Sequence, residues 1–179
     1  MSSIAILAIT GCQSEEATQQ AGKTPVPTSR TTRSPHPSPS TAHDAVLAAY
    51  RNYWKLLPQA GQSTPAQARV LLKPHVSGKY LDHLVDGVRR MRSEGREPYG
   101  QVIPRVKEVW VAQGQAKVID CQDIVNTGMA DATTHERIPE TGEAQSSANV
   151  EAMLQRAPGG RWVLTGMAFK EAPCTPPSP

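Results

Sequence analysis

Apolar positions along this chain recur first at helical spacing and then, past the midpoint, at alternating spacing. Val46, Ala49, Tyr50, Tyr53 and Leu57 fall on one face of a helix, and Trp54 broadens that face. Thr41 stands where an N-cap is wanted, and Asp44 suits the positive end of the helix dipole. Pro58 and Gly61 are expected to stop this helix. Thr64-Pro65 opens a second, short helix that ends in Leu71-Leu72 before Pro74. In the third helix Val76, Tyr80, Leu84, Val88 and Met91 recur about once per turn, and Gly95 ends it.

From Gln101 the period changes to two. Residues 102–111 hold four Val, one Ile and Trp110, with Pro104 marking an edge or a bulge. Gly114 makes a turn, and residues 116–123 form a second strand containing Cys121. Asn126-Thr127-Gly128 is a further turn, and residues 132–138 read as a polar third strand followed by a loop at 139–142. Val150, Ala152 and Leu154 line one face of a fourth strand at 147–155. After the hairpin turn Pro158-Gly159-Gly160, residues 161–169 form a fifth strand. Its Trp162, Leu164 and Ala168 alternate against Val163, Met167 and Phe169. Helices first and hairpin-linked strands afterwards predict an α+β fold, with three N-terminal helices packed on an antiparallel sheet of four to five strands.

Composition places the folded part within the 179 residues. All eight aromatic side chains lie between Tyr50 and Phe169, so the core starts near residue 45 and ends near residue 170. Residues 13–40 are rich in Ser, Thr, Pro and Gln, without any apolar period. Such a stretch has nothing to offset the entropy of ordering and behaves as a tether. The formal charge of +3 is mild and does not call for nucleic acid as a partner.

The tether follows a short apolar run, Ile4 to Ile9, which ends in Ile9-Thr10-Gly11-Cys12. That tetrad resembles the lipobox of bacterial lipoproteins. The resemblance implies diacylglycerol on the Cys12 thiol, cleavage between Gly11 and Cys12, and a membrane partner reached through the lipid. The run carries no Lys or Arg and is short for a signal peptide, so a start further upstream is expected; the alternative is a cytosolic protein whose apolar N-terminus has no role. The expected organisation is a signal peptide at 1–11, continuing upstream of Met1, a lipid-anchored disordered linker at 12–42, a folded domain at 43–174 and a disordered tail at 175–179.

Three cysteines are an odd number. With Cys12 lipidated, Cys121 and Cys174 remain and can pair, provided the second and last strands are neighbours and the compartment is oxidising. The alternative is two free thiols, one a small buried hydrophobe in the sheet.

Other polar clusters carry less. Asp82, His83 and Asp86 share the third helix beside Arg89 and Arg90, which reads as a solvated face of charge pairs rather than a metal site. Arg92, Arg96 and Lys79 are diluted by Glu94 and Glu97 into a mixed-charge surface. No nucleophile motif, phosphate-binding glycine loop, CxxC or HExxH occurs. No metal and no cofactor is expected.

The order of elements, with the phrases Ala-Val-Leu-Ala-Ala-Tyr-Arg-Asn-Tyr-Trp and Gly-Arg-Trp-Val-Leu, resembles the nuclear transport factor two superfamily over residues 41–172. With lipobox and linker added, the chain resembles small actinobacterial lipoproteins. The superfamily resemblance implies a cone, a bent sheet wrapped around a long helix. Enzymes of that shape carry Asp, His or Tyr in the cone mouth as general acid or base. Their possible equivalents here are Tyr50, Tyr53, Asp123 and His135; Trp54 and Trp110 complete the expected pocket. Two functions follow. One is a non-enzymatic, membrane-tethered module outside the cytoplasm that holds a protein partner or a small apolar ligand. The other is a small acid–base enzyme or ligand carrier. A cone filled by aromatic rings favours the first. A cavity of about 300 Å³ or more with convergent polar groups favours the second.

Overall fold

A computed structural model describes residues 39–139 and 145–176, all within the unit His36–Pro179. Cys12, the apolar run before it, most of the linker and the far end of the tail lie outside the described residues.

Three helices precede the strands: α1 (Pro39–Gln62), α2 (Pro65–Leu72) and α3 (Gly78–Ser93). α1 starts ahead of the expected cap at Thr41 and continues through Pro58. Pro58 removes one backbone donor from the ladder. The last turn is nevertheless held. Ala60 is fully buried, Gln62 Nε2 donates to the Pro98 carbonyl at 3.0 Å, and Arg92 Nη1 donates to the Gln62 carbonyl at 3.2 Å. Gly61 therefore does not end the helix. It allows close packing, since a Cβ there would lie 2.3 Å from Pro98 Cγ.

α2 begins as expected. Thr64 Oγ1 accepts from the Gln67 N–H at 3.3 Å, and Gln67 Oε1 accepts from the Thr64 N–H at 3.1 Å, a reciprocal capping box. α3 starts later than its apolar period implied. Val76 lies before it, in a parallel bridge to Leu164. The buried residues of α3 are Leu81, Val85 and Val88, with Tyr80, Leu84 and Met91 packed beside them, so the apolar face is wider than one stripe. Gly95 follows the helix at φ +69°, as a C′ glycine does.

Six strands follow: β1 (Arg96–Tyr99), β2 (Val106–Ala112), β3 (Gln115–Asp123), β4 (Gly128–Asp131), β5 (Ser147–Arg156) and β6 (Trp162–Lys170). Four make an antiparallel sheet in the order β2-β3-β5-β6, and β1 pairs with β4 in a separate ribbon. The polar strand expected at 132–138 is instead mostly turn, with one bridge from Arg137 to Ala130. Asp131 Oδ1 accepts from the backbone N–H groups of Thr133 and Thr134, and this side-chain capture favours the turn over a strand.

The main sheet packs one face on the helices, giving the α+β, cone-like arrangement with a bent sheet. Its core face carries Ala116, Val118, Val150, Ala152, Leu154 and Leu164, all buried. A register shift at Met153/Leu154 pairs Met153 with Gly166 and Leu154 with Leu164. The extra residue, Thr165, switches the parity of β6. The expected alternation of Trp162, Leu164 and Ala168 against Met167 and Phe169 fails there: Met167 pairs with the core residue Ala152, and Phe169 with Val150. A bulge bends a strand as well as re-aiming its side chains.

Cys121 and Cys174 form a disulfide, with Cα atoms 5.8 Å apart. The route differs from the expected one, because β3 is not adjacent to β6. Cys121 pairs in register with Asn149 of β5, on the parity opposite the core residues. The tail after β6 crosses β5 to reach it: Asn149 Nδ2 donates to the Ala172 carbonyl at 3.1 Å, and Ser147 Oγ donates to the Cys174 carbonyl at 2.9 Å. Covered in this way, Cys121 is fully buried.

Candidate functional site

Between the helices and the core face of the sheet lies a cavity of about 390 Å³. Its helical wall is Tyr53, Trp54 and Leu57 from α1, with Tyr80, His83 and Leu84 from α3. Gln122, Ala148, Met167 and Phe169 come from the sheet, and Val102 and Ile124 from the segments beside it. A smaller cavity of about 210 Å³ shares Trp54, Leu57 and Val102 with it and extends toward the β1–β4 ribbon, where Pro98, Tyr99 and Met129 line it.

The helical spacing that builds the core also aims Tyr53, Trp54 and Leu57 into this space. Tyr53 and Trp54 meet edge to face with ring centroids 5.1 Å apart, a favoured aromatic geometry. The Tyr80 and His83 rings stack with centroids 6.3 Å apart. Burial first, and then the neighbouring Tyr80 phenol, push the Tyr53 hydroxyl well above its ordinary pKa. Burial likewise raises Tyr80. Both phenols therefore stay neutral at physiological pH.

Behind the cavity sits a polar network. Tyr50 donates to Asp120 Oδ2 at 2.8 Å, Gln122 Nε2 donates to the Tyr50 hydroxyl at 3.0 Å, and the Arg105 backbone N–H donates to Asp120 Oδ1 at 2.7 Å. Tyr50 and Asp120 are fully buried and Gln122 nearly so. Burial raises the Asp120 pKa, opposed by the hydrogen bonds from Tyr50 and Arg105. Burial and the Asp120 carboxylate raise Tyr50 in turn. Each oxygen of Asp120 has a donor. Trp54 Nε1 is different. It is buried without a hydrogen-bond partner, although the indole is close enough to the Tyr50 hydroxyl to favour its ionised form slightly.

Of the expected pocket residues, Tyr53 and Trp54 line the cavity, and Tyr50 lies behind it in the network. The other three are elsewhere. Trp110 is 60% exposed, on the face of β2 opposite the core-packed Val109 and Val111, with Lys117 Nζ 5.6 Å from its ring. The alternation of Val109 and Val111 already carried that signal. Asp123, at the end of β3, accepts from the Val125 N–H at 3.2 Å and faces Arg105 at 3.9 Å. His135 sits in the turn after β4 at φ +61°, its Nδ1 2.6 Å from Glu97 Oε1. A turn imposed by Asp131 holds it away from the sheet's core face. Among the cavity residues missed by sequence reasoning were Gln122, His83, Met167 and Phe169. Gln122 shares the parity of Val118 and Asp120 and was readable; Phe169 depends on the bulge.

Asp82 pairs with Arg69 at 2.8 Å and Asp86 with Arg89 at 2.5 Å. Among the described residues no group of three or more His, Cys, Asp or Glu side chains converges. No described helix is long and apolar enough to cross a membrane.

Neither a protein-family description nor a curated protein sequence matches the chain. Among solved structures it is similar to the intermembrane space region of chloroplast protein ARC6, at 14% identity and a TM-score of 0.46, covering 75% of this chain and 98% of that one. It is also similar to a protein designated Rd1NTF2_05, at 12% identity and a TM-score of 0.38, covering 73% of this chain and 97% of that one. A de novo β-sheet design solved by NMR is similar at 15% identity and a TM-score of 0.33, covering 76% of this chain and 92% of that one. At these scores the likenesses carry no inference about activity, ligand or compartment.

Proposed function

We propose that this chain is a non-enzymatic binding module, tethered by lipid on Cys12 to the outer face of the cell membrane, which holds a small, largely apolar ligand in its cone. The chemistry of the cavity wall carries this reading. The space is of the size that encloses small molecules, its wall is mainly aromatic and aliphatic, and its few polar groups are neutral phenols, one imidazole and one amide. Of the four acid–base groups expected at the cone mouth, Tyr53 alone lines the cavity. The buried acid, Asp120, is occupied by Tyr50 and Arg105, and His135 and Asp123 do not line the cavity.

The address rests on the lipobox tetrad and the tether after it. The Cys121–Cys174 disulfide supports it, since such bonds persist in oxidising compartments. A protein partner seated on the mouth is the second reading, favoured by Phe169 at the cavity rim, 65% exposed.

Titration with the apolar fluorophore N-phenyl-1-naphthylamine tests the cavity. Saturable binding to the wild type is expected, weakened at least about tenfold in Ala148→Trp, whose ring fills the space. Equal binding by a folded Ala148→Trp protein would refute the cavity as the site. Fractionation of cells making the wild type and Cys12→Ser tests the anchor. The wild type is expected with membranes and the variant in the soluble fraction; a soluble wild type would overturn the anchor alone.

A further inference from the structure

On the far side of α1 from the cone runs an open trough of about 700 Å³, between that helix and the β5–β6 turn. Its floor is small and apolar: Ala45, Ala48 and Ala49 follow helical spacing along α1, and Trp162 closes one side. Three cations stand around this floor. Arg51 and Lys55 lie one turn apart on α1, and Arg161 comes from the opposite wall. All three are exposed.

Among the described residues no carboxylate lies within ion-pair distance of these cations, although at longer range the Arg51 charge opposes the rise in pKa that burial gives the Asp120 carboxylate. Neither Asp nor Glu lines the trough. Arg51, Lys55 and Arg161 form no ion pair among the described residues. Asp44, on α1, is exposed and does not line the trough. Two like charges at i and i+4 on a helix are mildly destabilising, and a third cation across the trough adds to the repulsion. An anion on the floor relieves it.

The site is also built. The β5–β6 turn is held by Ala157 N–H donating to the Arg161 carbonyl at 2.7 Å and by Arg156 Nε donating to the Gly160 carbonyl at 3.3 Å. Gly159 and Gly160 supply the positive φ this turn needs, +88° and +83°. The turn thus presents Arg161 from a defined backbone. Asn52 Nδ2 donates to His75 Nδ1 at 3.3 Å, which leaves the proton of a neutral His75 on Nε2 as a further donor.

We propose that this trough binds the phosphate group of an anionic ligand, with Arg51, Lys55 and Arg161 meeting the phosphate oxygens and the apolar stem of the ligand lying on the alanine floor. Arginine forks and a lysine point charge suit phosphate oxygens. Burial, and then the Arg161 charge, hold the His75 imidazole below its ordinary pKa, in keeping with a locally positive potential. The trough shares no lining residue with the cone cavity, and the inference stands independently of the cone's ligand.

The test is a titration of the ¹⁵N-labelled chain followed by NMR, using monomeric dihexanoyl phosphatidic acid, dihexanoyl phosphatidylcholine and inorganic phosphate. Saturable shifts at Ala45, Ala48, Lys55 and Arg161 are expected with phosphatidic acid. Affinity is expected to fall roughly tenfold or more in Arg51→Ala/Lys55→Ala/Arg161→Ala, with the spectrum of the sheet unchanged. Much weaker binding of inorganic phosphate identifies a lipid-type headgroup as the source, and equal binding a free phosphate; both support the site. Absence of saturable shifts with either anion would overturn it, as would unchanged affinity in the folded triple variant or equal binding of the zwitterionic phosphatidylcholine. If the triple variant does not fold, the single variant Arg161→Gln is read against the same outcomes.

Discussion

Two hollows flank α1, and they are built on opposite principles. The cone cavity is walled by rings and aliphatic side chains, and the polar groups behind it satisfy one another. The trough is floored by alanines and ringed by cations, with no Asp or Glu among its lining residues. A buried carboxylate costs less to bury when each of its oxygens is matched by a donor, as those of Asp120 are. An open cationic rim tolerates its repulsion because water screens it. The contrast separates polar residues engaged with one another behind the cavity, such as Tyr50 and Asp120, from the exposed cations around the trough.

Substitutions break that contrast in order of expected size. Asp120→Ala leaves the Tyr50 hydroxyl and the Arg105 N–H without an acceptor. It is expected to lower unfolding free energy by about 2–5 kcal/mol, measured by urea denaturation. Tyr50→Phe strands one Asp120 oxygen and the Gln122 amide while preserving the ring, and is expected to cost about 1–3 kcal/mol by the same measurement. The trough variant Arg51→Ala/Lys55→Ala/Arg161→Ala is expected to stay within about 0.5 kcal/mol of the wild type. A loss like that of Asp120→Ala would make the trough cations structural and erase the distinction.

The pH dependence sharpens the contrast further. Burial raises the Asp120 pKa in the folded protein, so the folded chain binds that proton more readily than the unfolded chain does. Its contribution therefore falls as pH rises from the ordinary carboxylate value through the raised one. Asp131 has the opposite sign. Hydrogen bonds from the Thr134 and Thr133 N–H groups lower its pKa, so its stabilisation is present above the ordinary carboxylate value and lost as pH falls through the lowered one. Asp120→Asn is expected to remove the first slope and leave the second, read from denaturation midpoints between acid and neutral pH. An unchanged pH profile would show that Asp120 does not titrate in that window.

Much of the architecture was legible because it rests on local periodicity. The face of α1, the cap at Thr64 and the turn at Gly95 follow from spacing and backbone chemistry alone, whereas the stripe expected on α3 omitted the buried Leu81 and Val85. The β1–β4 ribbon was not legible. Its segments Arg96–Tyr99 and Gly128–Asp131 have no apolar alternation, and they are held by contacts distant in sequence, such as Glu97 with His135 and Arg137 over the Tyr99 ring, 4.6 Å from its centroid. Gly61 was misread for a related reason. A glycine that ends a helix and one that admits Pro98 look alike until the partner is in place.

The sequence alone determined the class of fold, the span of the core and the existence of a pairable cysteine couple, because these depend on period, composition and count. Tertiary structure decided which side chains share a space. A single extra residue in β6 turned Met167 and Phe169 toward the cavity, the side-chain capture at Asp131 held His135 away from it, and the crossing of β5 by the tail joined Cys174 to Cys121. Each of these is a question of register or path, and a shift of one residue reverses the face on which a strand side chain stands.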